Sequence, residues 1–406
     1  MKPIDDAEAR KLLGPLAGEP GGVPRLDVAE IVRAGDRRRR NRTIRSASWA
    51  AVALMAIAGG TVVSVRNAQD VDGLPVAGYA SPSASAPVPT PVTSPAPVGA
   101  NCTVADLPGP DSAPFATDHT GRFTVTERRS GTGRWAAVWR GGTRISEVTL
   151  PAFHQSRYAV NAQGELAITL ADANGKETPY AYTNGKLTQL KGGSGAANAI
   201  ADDGRIAGSL DSGRAVVWAD AGAQPTELPL PEGALSTGAV GIDQDGTVAG
   251  RAEIGVNDYE GVLWLPDGSV RVLSGTSGEY YSSAVTGINN GWVVGADGYN
   301  GADRVVGYRY RIATGRYERL PTQFGNPQLV GGDGSVIGLG DDAVTYLFTG
   351  GRARALPPGQ KGSDGSSAIT GALGISDDGR TVIGSRSILT ETGEGNTGRG
   401  IVWTCA

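Results

Sequence analysis

AVGIDQDGTVAGRAEIGVNDYEGVLWLPDGSVRVL, residues 239–273, decides the fold. Four short apolar runs are pinched apart by turn-forming residues. Asp245-Gly246 separates the first run from the second, and Asp267-Gly268 separates the third from the fourth. Asp-Gly accepts positive φ cheaply and suits a tight hairpin turn, here read as a two-residue one. The stretch therefore reads as four antiparallel strands. It also returns down the chain. AANAIADDGRIAGSLDSGRAVVWADAGAQPTEL (196–228), AVTGINNGWVVGADGYNGADRVVGYRYRIATGRYERL (284–320) and ALGISDDGRTVIGSRSILTETGEGNTGRGIVWT (372–404) are close copies. Weaker copies lie at 115–150, 158–190 and 328–356. Their shared turn glycines are Gly121, Gly164, Gly204, Gly246, Gly291, Gly334 and Gly379, spaced 43, 40, 42, 45, 43 and 45 residues apart. Four strands in such a period make the blade of a β-propeller. The fold class is all-β, a seven-bladed propeller over 102–406.

The last unit ends after its third strand, at Trp403, and TVADLP (103–108) stands alone ahead of the first unit. Residues 103–107 are therefore expected to supply the missing fourth strand, which removes a free sheet edge. That closure brings Cys102 and Cys405 together and predicts a disulfide between them.

Ahead of the repeats the chain changes character. Residues 1–45 are polar and end in an Arg cluster (Arg33, Arg37, Arg38, Arg39, Arg40, Arg42, Arg45). SASWAAVALMAIAGGTVVSV (46–65) carries no charge, and at about 1.5 Å per residue it spans roughly 30 Å, one hydrocarbon core. The Arg cluster places 1–45 in the cytoplasm and the propeller outside the plasma membrane, as a single-pass protein. A cleaved signal peptide is the rival reading, through AIA at 56–58, but the long segment before it favours a retained anchor. Residues 66–101, rich in Pro, Ser and Ala, cannot bury a core and read as a disordered stalk reaching at most ~110 Å.

Composition removes several functions. A net charge of −4 offers no field for nucleic acid. Two Cys and two His leave no zinc set and no basis for a His-centred triad. Asp243 and Asp245 lack the further oxygen ligands and downstream bidentate Glu of a Ca²⁺ loop, so DQDG reads as a turn capped by its own Asp. No catalytic residue, metal or cofactor is assigned.

GINNGWVVG and AVVWADAG…TEL resemble the HAF repeat of bacterial extracellular proteins, although the name-giving His-Ala-Phe is replaced by AAVW, AVVW, GVLW and GIVW. The resemblance covers about 103–404. It implies a propeller-like, extracellular protein and no particular activity.

Trp139, Trp218, Trp264 and Trp403, with Tyr182, Tyr310 and Phe348, recur on strand three and are expected to pack blade on blade rather than to cage a ligand. The two–three and four–one connections are long and variable and share one face, the default binding surface. The ligand candidates there are Phe153, His154, Arg157, Asn257, Asp258, Tyr259, Tyr280, Tyr281, Tyr299 and Asn300. The function expected is non-catalytic: a monomeric propeller on a stalk that binds a cell-wall glycan or an envelope protein, with 1–45 available to relay a signal. The alternatives are a glycosidase or lyase of an envelope polysaccharide and a structural spacer. The enzyme would need paired carboxylates, drawn from Glu253, Asp258, Glu260, Glu279, Asp297 and Asp303.

Overall fold

The structure is a computed structural model that describes residues 102–405, other than 110–112, 131–132, 256–257, 274–279, 300–304, 323, 325, 341–343, 358–367 and 389–397. The expected tail, membrane helix and stalk (1–45, 46–65, 66–101) lie outside the described residues. No helix among the described residues is long and apolar enough to cross a membrane.

The described chain forms seven four-stranded antiparallel sheets; in six the strands neighbour one another in chain order, and in the seventh the first described strand lies beside the last. The blade built from the opening stretch has strands Ser236–Ile242, Val248–Gly255, Asp258–Trp264 and Val270–Leu273. Blades 1 to 6 occupy 114–149, 155–189, 195–227, 236–273, 280–319 and 326–355. First strands of successive blades touch, and the first strand of blade 7 touches that of blade 1, so the sheets close into a ring. Second strands are enclosed between neighbouring blades on both faces. Leu166–Ala171 is accordingly buried at every position, and such strands lose the polar alternation of a half-exposed sheet.

Blade 7 closes as its sequence requires. Cys102–Asp106 pairs with Arg399–Cys405 from Cys102↔Cys405 through Asp106↔Ile401, next to Thr381–Ile388 and Ala368–Ile375. A disulfide joins the two opposed cysteines, whose Cα atoms are 4.0 Å apart.

The first turns differ from the expected two-residue form. In the opening stretch, Gly246 N–H donates to Asp243 O and Asp243 N–H donates to Thr247 O, a three-residue loop in which only Gly246 has positive φ (+95°). The same arrangement recurs around Gly164 and Gly204. Blade 5 is one residue shorter at this point, INNGWV against IDQDGTV. There Asn289 pairs directly with Trp292, and both Asn290 (+46°) and Gly291 (+71°) take positive φ, the true two-residue turn. Loop length selects the turn.

Packing between blades bears out the expected role for most of the strand-three aromatics; Trp139 is the exception, half-buried and donating to Thr126 Oγ1 (2.9 Å) of its own blade. Trp218, Trp403 and Phe348 are fully enclosed, and Trp264 and Tyr310 nearly so. The indole N–H of Trp218 donates to Lys191 O (2.8 Å), that of Trp264 to Pro229 O (2.8 Å) and that of Trp403 to Pro357 O (2.9 Å). Each acceptor lies just past the outer strand of the preceding blade, so each Trp ties two blades together while burying its ring. The Gly in each VAG-type second strand makes room for this. A Cβ at Gly250 would strike Gly238 O and the ring of Trp264.

Apolar clusters span six of the seven junctions, from blades 1–2 through blades 6–7. Among the described residues no such cluster spans blades 7 and 1. On the turn face, His119 of blade 1 and Asp377 of blade 7 bond across that seam.

Candidate functional site

The seven first turns meet at one end of the ring. His119, in the turn of blade 1, bonds through Nδ1 to Asp377 Oδ2 of blade 7 (2.8 Å) and through Nε2 to Asp202 Oδ2 of blade 3 (3.0 Å). Asn289 of blade 5 donates to Asp377 Oδ1 (2.8 Å). Bonds between non-adjacent blades, 1 to 3 and 5 to 7, must cross the mouth of the ring at this end.

Neighbouring turns are also stitched together. Ala162 N–H donates to Asp202 Oδ1, Asp202 N–H to Gln244 Oε1, and Asn290 Nδ2 to Gly332 O. Asp333 N–H donates to Asp377 O. Asp243 accepts from Asn290 N–H (2.9 Å) and Gly291 N–H (2.5 Å) of the next blade as well as from Gln244 N–H (2.8 Å) in its own turn. Asp245 caps its own turn by accepting from Thr247 N–H (2.7 Å). The aspartates of the repeat therefore act as turn caps and as blade-to-blade staples. Among the described residues, no cluster of His, Cys, Asp and Glu could hold a metal ion.

Electrostatics matches this geometry. Hydrogen bonding to Asp377 raises the His119 pKa to about 9 against the opposing effect of burial, and Asp202 adds to the rise. At neutral pH His119 is a cation, and both ring nitrogens donate. Burial pushes Asp377 up, but the hydrogen bonds from His119 and Asn289 and the imidazolium charge outweigh it and hold the carboxyl below its ordinary range.

The opposite end carries the connections that were expected to be long loops. Much of that sequence is strand. Asp258 and Tyr259 begin the third strand of blade 4, Tyr280 and Tyr281 begin the first strand of blade 5 (Tyr280–Asn289), and Tyr299 ends its second (Trp292–Tyr299). Tyr280 pairs with Tyr299 across these two strands. Asn257, Asn300, Glu279 and Asp303 lie outside the described residues.

In blade 4, Ser236 Oγ donates to Glu253 Oε2 (2.8 Å), and the Arg251 guanidinium lies 5.5 Å from the centre of the Tyr259 ring. Burial pushes the Arg251 guanidinium down, against the raising effect of Tyr259 and Glu253. Asp258 and Glu260 are two residues apart on one strand and so share a face. Burial first, then the Asp258 charge, pushes the Glu260 carboxyl above its ordinary value. Asp297 is instead enclosed in blade 5.

The junction of blades 1 and 2 brings Phe153, His154 and Arg157 onto this same face. Phe153 is buried, His154 is exposed, and Arg157 is a strand residue paired with Glu177 (2.8 Å). Guanidinium groups of Arg134 and Arg129 lie 4.8 and 5.8 Å from the centre of the Phe153 ring. Beneath them Glu127, with its side chain 2% exposed, accepts from Ser156 Oγ (2.6 Å), Tyr158 Oη (3.0 Å) and Arg129 Nε (2.5 Å). Burial, then the Glu127 charge, pushes the Tyr158 hydroxyl well above its ordinary value. Arg129, Arg134 and Glu127 escaped sequence reasoning. Nothing local in ERRSGTGRW marks these residues out until the fold sets Phe153 against them.

No known family and no curated protein matches this chain. Several solved structures are similar to it at low identity. The β-propeller domain of the Trilobed protease from Pyrococcus furiosus is 11% identical, over 72% of this chain and 95% of that one, with a TM-score of 0.47. Oligogalacturonate lyase from Vibrio parahaemolyticus is 11% identical, over 74% and 93%, with a TM-score of 0.46. TolB from Acinetobacter baumannii is 12% identical, over 70% and 79%, with a TM-score of 0.36.

Proposed function

We propose that this protein is a non-catalytic binding propeller, anchored by 46–65, lifted by the stalk 66–101, and recognising a wall glycan or envelope protein through its connection face. The observation that carries the reading is the asymmetry of the two ends. The polar side chains of the turn face are spent on one another, across the ring and around it. The connection face instead presents the half-buried Tyr259 ring beside the Arg251 guanidinium, residue types that concentrate binding energy, with the half-buried Glu260 carboxyl on the same strand. HAF-type repeats, which this chain resembles, fit the same placement outside the cell.

The test is partner capture by crosslinking in intact cells, comparing the natural protein with Tyr259→Ala and with Lys186→Ala, a change in a tight turn on the other face. Loss of the crosslinked partner with Tyr259→Ala alone supports the reading. Equal capture by both variants refutes it. One observation favours the enzymatic alternative: Glu260 and Asp258 share a strand face and the Glu260 carboxyl is raised, an arrangement suited to a general acid beside a second carboxyl. Turnover of an envelope polysaccharide that Glu260→Gln abolishes would establish that alternative.

A further inference from the structure

At the junction of blades 1 and 2, two cations stand directly opposite each other. Arg129 pairs across the strands with Arg134, which puts both side chains on the face that meets blade 2. Like charges so placed repel and destabilise a sheet unless something compensates them. Arg129 is compensated by buried Glu127, which is itself saturated by Ser156 and Tyr158. The nearby Arg157 is matched by Glu177. Among the described residues Arg134 has no such carboxylate. Its guanidinium rests on the Phe153 ring, and its Nη1 is buried without an acceptor among the described residues. A buried guanidinium donor left without an acceptor loses its hydration with nothing in return.

We propose that Arg134, set on Phe153 beside Arg129, is an anion subsite that takes the carboxylate of an acidic sugar. The inference rests on the connection face being the binding surface and names the chemistry it recognises. A guanidinium presents a planar fork that a planar carboxylate fills with two parallel hydrogen bonds. The charge also fits: one unbalanced cation matches one monoanionic carboxylate, whereas a phosphate monoester brings about −1.5 to −2. The position fits as well, since both strands run out here into the two–three connection and exposed His154 is adjacent in the four–one connection.

The experiment is calorimetric titration of the purified full chain with a glucuronate-containing trisaccharide, a neutral glucose trisaccharide and glucose 6-phosphate. Arg134→Gln, Arg134→Lys and Arg144→Gln are compared with the natural protein. Arg144 is an exposed cation of the same blade, paired with Glu147 on the outer strand. The expected result is saturable binding of the acidic trisaccharide, weakened on the order of 10- to 100-fold by Arg134→Gln, since hydrogen bonds to charged groups carry effects of this size. Arg134→Lys keeps the charge without the fork and lies between, and Arg144→Gln binds as the natural protein does.

Binding that survives Arg134→Gln overturns the site. Full retention by Arg134→Lys overturns the fork. Tighter binding of the phosphate overturns the carboxylate assignment. Equal binding of the neutral sugar overturns the acidic ligand class but leaves the connection face standing as a receptor. No binding of any probe overturns the subsite, while the crosslinking comparison decides the receptor reading separately. If Arg134→Gln proves poorly folded by its melting curve, Arg134→Lys carries the test.

Discussion

The seam between blades 7 and 1 should titrate. His119→Gln removes the one cation that links Asp377 to Asp202 while keeping a polar side chain of similar reach. In the folded protein the imidazole pKa is about 9, against 6.5 without these partners. At about 1.36 kcal/mol per pH unit, that difference amounts to at most roughly 3.4 kcal/mol. The imidazole keeps 22% of its exposure and its two carboxylate partners keep 30% and 46%, so solvent screening reduces the figure to about 1–2 kcal/mol. The sign follows from a folded pKa raised above the unfolded one. The contribution is complete below pH 6.5, declines as pH rises, and is gone above about 9, where neutral imidazole can donate to only one carboxylate. On the acid side the Asp377 carboxyl, held below its ordinary range, makes the same linkage fade as pH falls below about 4. The assay is urea unfolding of the full chain followed by tryptophan fluorescence, at pH 6 and pH 9.5, for the natural protein and His119→Gln. The natural protein should lose about 1–2 kcal/mol more than the variant over this interval, because other titrating groups cancel in the difference. Equal losses in the two proteins would refute the argument that a charged clasp holds the seam.

Three further outcomes are expected. Cys405→Ser opens a loop closed across a sequence separation of 303 residues and should lower stability by about 2–5 kcal/mol, read as a fall in Tm that reducing agent reproduces in the natural protein and does not add to in the variant. Gly250→Ala should cost about 1–3 kcal/mol in urea unfolding, because its methyl group meets Gly238 O and the Trp264 ring, while the exposed Gly268→Ala pays only the strain of positive φ. Glu127→Gln should cost about 1–2 kcal/mol by giving buried Ser156 and Tyr158 a neutral acceptor in place of a charged one, since the Arg129 side chain is 55% exposed and solvent screens its charge; an unchanged stability would show that Ser156 and Tyr158 do not depend on the carboxylate.

Much of the architecture was legible because its causes are local. Strand-length apolar runs, Asp-Gly and Asn-Gly turns, and a period near 43 residues specify a four-stranded blade wherever it recurs. The orphan segment at 103–107 and the truncated last unit required each other, and the cysteines followed from that match. Reading the connections as loops went too far. VNDYEG and SGEYYSS are polar and glycine-rich, yet sheet pairing draws Asp258, Tyr259, Tyr280 and Tyr281 into strands, since a partner strand can override weak local preference.

What only the tertiary structure decided concerns residues that meet across the ring. His119 lies in TDHTG and reads as one more turn residue, but its partners are 83 and 258 positions away. Phe153 reads as an exposed loop aromatic, but it is buried beneath Arg129 and Arg134. Turn propensity and hydrophobic period act within about ten residues and so survive in the sequence of any single blade. Which turns face each other, and which charges lack a partner, depends on closing seven blades into one ring, and no single repeat carries that information.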